Sequence, residues 1–248
     1  PGNGAGTDNW LLFHKGGDSC NSSESCAVRW VEQPQYMRGS RTLNANSSPG
    51  STNGVDAGLF ARDEVSNPFA NWNYVYLEYC SSDEHSGTKV ASESDAHLWF
   101  RGHVNVSSTV DELLVGLDLS ELGGSIASLA DADEVVVAGG SAGANGARHN
   151  MDWVADQIRI GAPSVRVRGL ADSVIVPAVK PAQYTENRVS YDYWGQVMDA
   201  DCVEAHPNSH PWICRNMAHL TNGHAIADWF EEADQGHLGR TSSTEDYA

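Results

Sequence analysis

Lysine is scarce in this chain. Of 15 basic residues only Lys15, Lys89 and Lys180 are lysines, against 33 acidic residues and a formal net charge of −18. Phosphate backbones are bound by clustered Lys and Arg, so nucleic acid is excluded as a partner, and an anionic membrane surface is disfavoured. The excess acid reads as a well-solvated surface. No apolar run is long enough to cross a bilayer. Residues 1–9 are rich in glycine and lack the basic-then-apolar pattern of a leader. An apolar run, Trp10 to His14, follows almost at once. The expectation is therefore that a leader has been removed or that the sequence starts inside the mature protein.

Cysteine is sparse but patterned. Cys20 and Cys26 flank a polar turn, and Cys202 and Cys214 flank a stretch rich in Pro and His. Both pairs read as local disulfides and imply an oxidising, secreted or periplasmic compartment. The second pair has a zinc alternative, since His206, His210 and His219 lie nearby, but the spacing matches no standard Cys/His pattern. Cys80 is left without a partner. Asn21, Asn46 and Asn105 open N-x-S sequons, which matter only in a eukaryotic host.

The 248 residues suffice for one α/β domain, here taken as residues 1–248. Strands are expected at Trp10–His14, Tyr74–Tyr79, Glu134–Ala138 and Val165–Leu170. The third is the clearest, three consecutive valines ending at Gly139 as a buried parallel strand would. Gly16–Leu59 reads as a long polar loop. Ser108 with Asp111, or Thr109 with Glu112, forms a capping-box pattern ahead of Leu113, Leu114 and Leu117, marking a helix start. Ala142–Ile158 has helical apolar spacing. Tyr191–Met198 reads as a short helix, the run from Cys214 to Phe230 as partly helical, and the tail from Thr241 as mobile.

The chemistry centres on Gly139-Gly140-Ser141-Ala142-Gly143. A G-x-S-x-G match alone is weak in a chain rich in Gly and Ser. Here it follows a valine strand and opens a helix, the context of a nucleophile elbow. A sharp turn pushes the serine oxygen out of the sheet, glycine neighbours allow close backbone approach, and the helix N-terminus favours developing negative charge. The bland alternative is a glycine-rich turn that packs or binds phosphate. A serine nucleophile needs an oxyanion hole. The Ala142 amide is one donor by position, and Lys15-Gly16-Gly17-Asp18 after the first strand could supply others. A base and an orienting acid must follow Ser141 in the chain. Asp172 and Asp234 are candidate acids; His219, His224 and His237 are candidate bases.

Several segments together resemble the pectin acetylesterase family. They are Trp10 through Cys26, Asn67-Pro68 through Gly87, Phe100-Arg101-Gly102, the run VVVAGGSAGANG with Ser141, and Val167 to Asp172. The Cys202–Cys214 region fits more loosely. Their shared order covers Trp10 to Asp172 and is more specific than any one motif. The resemblance implies an α/β fold of the α/β-hydrolase-like kind, a three-layer sandwich with a mostly parallel central sheet. It also implies a Ser-Asp-His triad acting on esters. Ser141 would be the nucleophile, with Gly17, Asp18 and Ala142 as the oxyanion amides. Asp234 would be the acid, in a late Phe-x-x-x-Asp segment, and Asp172 a structural neighbour of the elbow.

Two departures stand out. Asp18 replaces a Gly or aromatic residue, and Ala144 replaces a Gly. An acidic group beside an oxyanion hole is unfavourable unless it points outward or pairs with Lys15 or an Arg. The family histidine lies tens of residues beyond its acid, and the sequence stops at Ala248. The start is also short of a strand the family usually has and of a Cys that could pair with Cys80, so both ends are expected to be truncated, with the base beyond Ala248 or replaced by His237 or His224. The expected activity is a carboxylesterase that removes acetyl or other short acyl groups, from an acetylated polysaccharide or small ester. No metal or organic cofactor is implied. An ester substrate is the expected partner, and the chain is taken as a monomer. The rival readings are a non-catalytic binding module on the same fold and a lipase-like deacylase of longer chains.

Overall fold

The computed structural model describes residues 2, 6–37, 58–92, 97–119, 124–126, 128–173, 181–205, 207 and 211–215. Its centre is a four-stranded, all-parallel sheet in the order β2-β1-β5-β6. The strands are β1 (Asn9–His14), β2 (Asn73–Leu77), β5 (Glu134–Gly140) and β6 (Arg166–Asp172); β3 (Leu117–Leu119) and β4 (Gly124–Ile126) form a separate antiparallel pair. The expected mostly parallel α/β architecture is therefore present. Among the described residues, no helix is long and apolar enough to cross a membrane.

The alternation of a strand explains the layering. Trp10, Leu12, Val135 and Val137 share one core with Val106 and Val110 of α2 (Gly102–Val115) and with Met151, Val154 and Ile158 of α3 (Ala142–Gly161). Leu11, Val136 and Ala138 form a second cluster, capped by Phe60, Phe69, Trp72 and Tyr74. Asn67 shapes that cap, because its side-chain amide donates to the carbonyls of Leu59 and Ala61 while its oxygen accepts from the Phe69 amide. The neighbours of β1 are β2 on one side and β5 on the other. Connections leave in opposite directions there, and the carboxyl ends of strands at such a switch point are where parallel α/β sheets bind ligands.

Four sequence expectations need correction. The stretch 16–59 is not all loop, for α1 (Ser23–Glu32) lies inside it. Ser22 caps it, its side chain accepting from the Ser25 amide while the Ser25 hydroxyl accepts from the Ser22 amide. The second helix starts at Gly102, not near Ser108, and Thr109 Oγ1 instead donates back to the Asn105 carbonyl, 2.8 Å away. Strand β2 ends at Leu77, short of Tyr79. The helix expected at Tyr191–Met198 is the end of α4 (Pro181–Trp194), with α5 (Ala200–Ala205) after it. Both local disulfides are present, Cys20–Cys26 and Cys202–Cys214, which removes Cys202 and Cys214 as zinc ligands. Cys80 is a free thiol. The expectations for Asn46, His206, His210 and everything after Arg215 fall outside the described residues.

Candidate active site

The last residue of β5 is Gly140 and the first of α3 is Ala142, so Ser141 alone makes the turn between sheet and helix. It does so at φ 55°, ψ −125° and is solvent-exposed. A side chain at positive φ is sterically disfavoured, so the surroundings must impose it. Three hydrogen bonds do. The Ser141 amide donates to the Asp172 carbonyl at 3.0 Å, and the Ser141 carbonyl accepts from the amides of Ala144 and Asn145 at 2.9 and 3.3 Å. The twenty-residue helix α3 thus begins at the serine, with its positive end facing any anion formed there.

Each glycine of the motif has a measurable reason. A Cβ on Gly139 would collide with the Gly143 carbonyl, and one on Gly143 would collide with the His14 carbonyl. At Gly140, a variable position of the pattern, the nearest atoms to such a Cβ are 3.9 Å away, on Asp172 and Phe13. The pattern is therefore a record of how closely α3, β5 and the end of β1 approach one another.

That approach brings the Lys15–Asp18 loop over the elbow. A Cβ on Gly16 would lie 3.2 Å from the Ser141 Cβ. Gly17 has φ 145° and packs flat against the Tyr36 ring, which only glycine can do. The Gly17 carbonyl accepts a hydrogen bond from Arg29 Nη2. Asp18, at φ 63°, is exposed, and its carboxylate accepts from the Ser19 amide at 2.8 Å. Lys15 is engaged elsewhere, bridging Glu78 at 2.9 Å. The acid thus turns outward rather than pairing with Lys15. Among the described residues, no backbone carbonyl accepts from the amides of Gly17, Asp18 or Ala142.

Beneath this loop lies a buried polar floor. Residues 81–86, Ser-Ser-Asp-Glu-His-Ser, are all buried. His85 Nε2 donates to the Lys15 carbonyl at 2.9 Å, its ring stacks on Tyr79, and it meets His14 edge-on at 5.0 Å. His14 Nδ1 lies 3.1 Å from the Ala138 carbonyl. Burial holds His14 down to about pKa 3, helped by His85, and His85 down to about 4. Both rings are neutral at ordinary pH. Asp83 accepts from the Ser81 hydroxyl and from the Gly102 amide at 2.7 Å, so it caps α2 from a distant loop. Burial raises its carboxyl above the usual range.

The structure therefore sets Gly16, the residue before Gly17 and Asp18, against Ser141 at the start of α3, with the Asp172 carbonyl on the elbow. Asp234 and the candidate bases His219, His224 and His237 lie outside the described residues. Among the described residues, no histidine hydrogen-bonds the Ser141 hydroxyl. No cluster of His, Cys, Asp and Glu among them could hold a metal. Sequence reasoning missed Arg29, Asp83 and His85. The last two fall within the Asn67–Gly87 segment that resembles the family, but nothing in that segment marked them as buried.

Comparisons with known proteins place this geometry. A family model described as Pectinacetylesterase matches residues 1–211. The human palmitoleoyl-protein carboxylesterase NOTUM is 31% identical over 223 residues, 84% of this chain and 41% of that protein. Pectin acetylesterase 4 of Arabidopsis thaliana is 33% identical over 115 residues, 46% of this chain and 26% of its own length. Among solved structures, the Wnt deacylase Notum from Drosophila superposes with a TM-score of 0.65 at 25% identity, covering 87% of this chain and 59% of that one. The chain thus spans less than half the length of these two curated relatives. With the match running from the first strand through the elbow and beyond β6, this chain belongs to the pectinacetylesterase family.

Proposed function

We propose that this chain carries the nucleophile and oxyanion hole of a secreted serine carboxylesterase that removes short acyl groups from esters. The observation that carries the reading is Ser141, exposed at a strained φ of 55° on a helix N-terminus, with the Gly16–Asp18 loop against it. Strain at one exposed serine, imposed by the surrounding backbone, is what an activated nucleophile requires.

The Ser141 oxygen attacks the ester carbonyl carbon and its proton passes to a histidine. The carbonyl oxygen becomes an anion, held by the amides of Gly17, Asp18 and Ala142. Collapse breaks the ester C–O bond, and the departing alcohol takes the proton from the histidine. Water, deprotonated by the same histidine, then releases the acid from Ser141. Asp234 orients the base, for which His224 and His237 are the candidates in this sequence. The steps need neither metal nor organic cofactor. The exposed, outward Asp18 carboxylate leaves its amide free for the anion.

An acetylated neutral glycan or a small ester suits the substrate better than polyanionic pectin, since the chain carries −18. Two disulfides suit an oxidising, extracellular setting. A second reading, deacylation of longer chains, is favoured by extent of likeness. The relative named for palmitoleoyl-protein cleavage aligns over 84% of this chain, against 46% for the plant pectin acetylesterase.

The test is Ser141→Ala with p-nitrophenyl acetate, using full-length protein. Turnover falls by at least about 10³-fold if the reading holds, and a fluorophosphonate probe labels Ser141 in the parent only. Undiminished turnover eliminates the reading. Absence of labelling in the parent favours a binding module. A chain-length series of nitrophenyl esters separates acetyl from long-chain preference.

A further inference from the structure

We propose that Arg29 is a positioning residue for the oxyanion hole, holding and polarising the peptide between Gly17 and Asp18. The proposal rests on the esterase reading above and adds a residue outside the motif to it. Arg29 is buried, and all three of its guanidinium nitrogens are engaged. Nε donates to Ser82 Oγ at 2.7 Å, Nη1 to the Gln33 side chain, and Nη2 to the Gly17 carbonyl. Its guanidinium also lies over the Tyr36 ring, 4.9 Å from the centroid. Tyr36 is the ring against which Gly17 packs. Ser82 Oγ in turn donates to the Tyr36 carbonyl at 2.7 Å, which closes the cluster.

The consequence follows from peptide geometry. In a trans peptide the C=O and the following N–H point in opposite directions. Fixing the Gly17 oxygen on Arg29 therefore aims the Asp18 N–H away from Arg29. The loop's other side faces the elbow, where Gly16 packs on Gly140 and Ser141. A cation on the carbonyl also draws electron density through the peptide and makes its N–H a stronger donor. Without Arg29, Gly17 at φ 145° and Asp18 at φ 63° lose the contact that selects this orientation of their shared peptide. The Cys20–Cys26 disulfide holds the start of α1, and hence Arg29, close behind the loop.

The test compares full-length parent, Arg29→Met and Arg29→Lys by nitrophenyl acetate kinetics and by inhibition with a trifluoromethyl ketone. That ketone forms a tetrahedral adduct requiring the same amides. Melting temperature and near-ultraviolet circular dichroism report folding. In Arg29→Met, kcat should fall about 30-fold with KM within about 3-fold, and the ketone's inhibition constant should rise in step with the loss of kcat. Arg29→Lys should recover only part of it, because an ammonium lacks the guanidinium fork. A folded Arg29→Met with parental kcat, or one that changes KM alone, overturns the proposal. If Arg29→Met does not fold, Arg29→Lys decides on the same split. Activity surviving in Ser141→Ala sinks the esterase reading itself, whereas loss in Ser141→Ala with parental kcat in Arg29→Met sinks only the role of Arg29.

Discussion

The two sides of Ser141 are built from different materials. On the β1 side the backbone rests on buried polar groups: His14, Arg29, Asp83 and His85 are each at most 7% exposed. On the β6 side the strand ends at Asp172, which like Ser173 after it is exposed, and the Asp172 carbonyl accepts from the Ser141 amide. A buried polar group is costly unless satisfied, but once satisfied it fixes geometry more sharply than apolar packing does. Arg29, Asp83 and His85 are satisfied in this way, though His14 Nε2 is not, and through those three the β1 side is the rigid half of the site. This is where amides should be held still while charge develops on an oxygen.

The sharpest way to break this comparison is to disturb the approach of β1 to α3. Gly143→Ala places a Cβ against the His14 carbonyl, a backbone atom that cannot step aside. We expect a loss of about 3 kcal/mol in stability, read by urea unfolding. Gly140→Ala is the control. Its nearest neighbours, at 3.9 Å, include Asp172 on the β6 side, so the change should stay under about 0.5 kcal/mol. Equal losses in the two variants would show that the elbow is not gripped more tightly from the β1 side.

Acid should act on the rigid half next. His14 and His85 are held well below the ordinary histidine value, at about 3 and about 4, by burial above all. Both are neutral in the folded state, whereas the unfolded chain binds their protons below about pH 6.5. Their neutral burial therefore costs nothing above that value. Stability then declines as the pH falls, down to the folded values. Asp83 works against this slope, since its raised carboxyl favours the folded state at low pH. We expect the two rings to withdraw about 2 kcal/mol each between pH 7.5 and pH 5, lessened by Asp83, with a shallower slope in His85→Gln, which keeps a donor for the Lys15 carbonyl. A flat profile in the parent would mean that these rings take up protons without unfolding.

How much of this was readable in the sequence divides along the same line. The elbow is local: a valine strand, a glycine-flanked serine and a helix all fall within one short run, so the motif located the turn from strand to helix at Ser141. The rigid floor is non-local. Helix α1 escaped because its buried residues are Cys26 and Arg29, while Val28 and Val31 are exposed. An apolar-periodicity reading sees no inward face in such a helix. The start of α2 escaped because its cap, Asp83, lies 19 residues upstream of Gly102. Thr109, one of the two cap candidates, mimicked a cap while bonding to the Asn105 carbonyl one turn back. The run 81–86 lay inside a segment that resembles the family, but its residues are polar, and only tertiary packing buries them. The sheet order was legible as strand candidates but not as pairing, since β1 lies between strands from opposite directions along the chain.

The smallest expected effect concerns the strain at the serine itself. Ser141 occupies φ 55°, ψ −125°, a region that essentially glycine alone visits freely. Its Cβ therefore pays a local penalty that the hydrogen bonds to Asp172, Ala144 and Asn145 override. Ser141→Gly removes both the hydroxyl and the penalty, whereas Ser141→Ala removes the hydroxyl alone. The two variants should be equally inactive, yet Ser141→Gly should be more stable than Ser141→Ala by about 1 kcal/mol. Measured as the difference in thermal midpoint, this isolates what the elbow costs the fold. An Ala variant as stable as the Gly variant would mean that the backbone relaxes around position 141, and that the β1 side grips its loop without gripping the nucleophile.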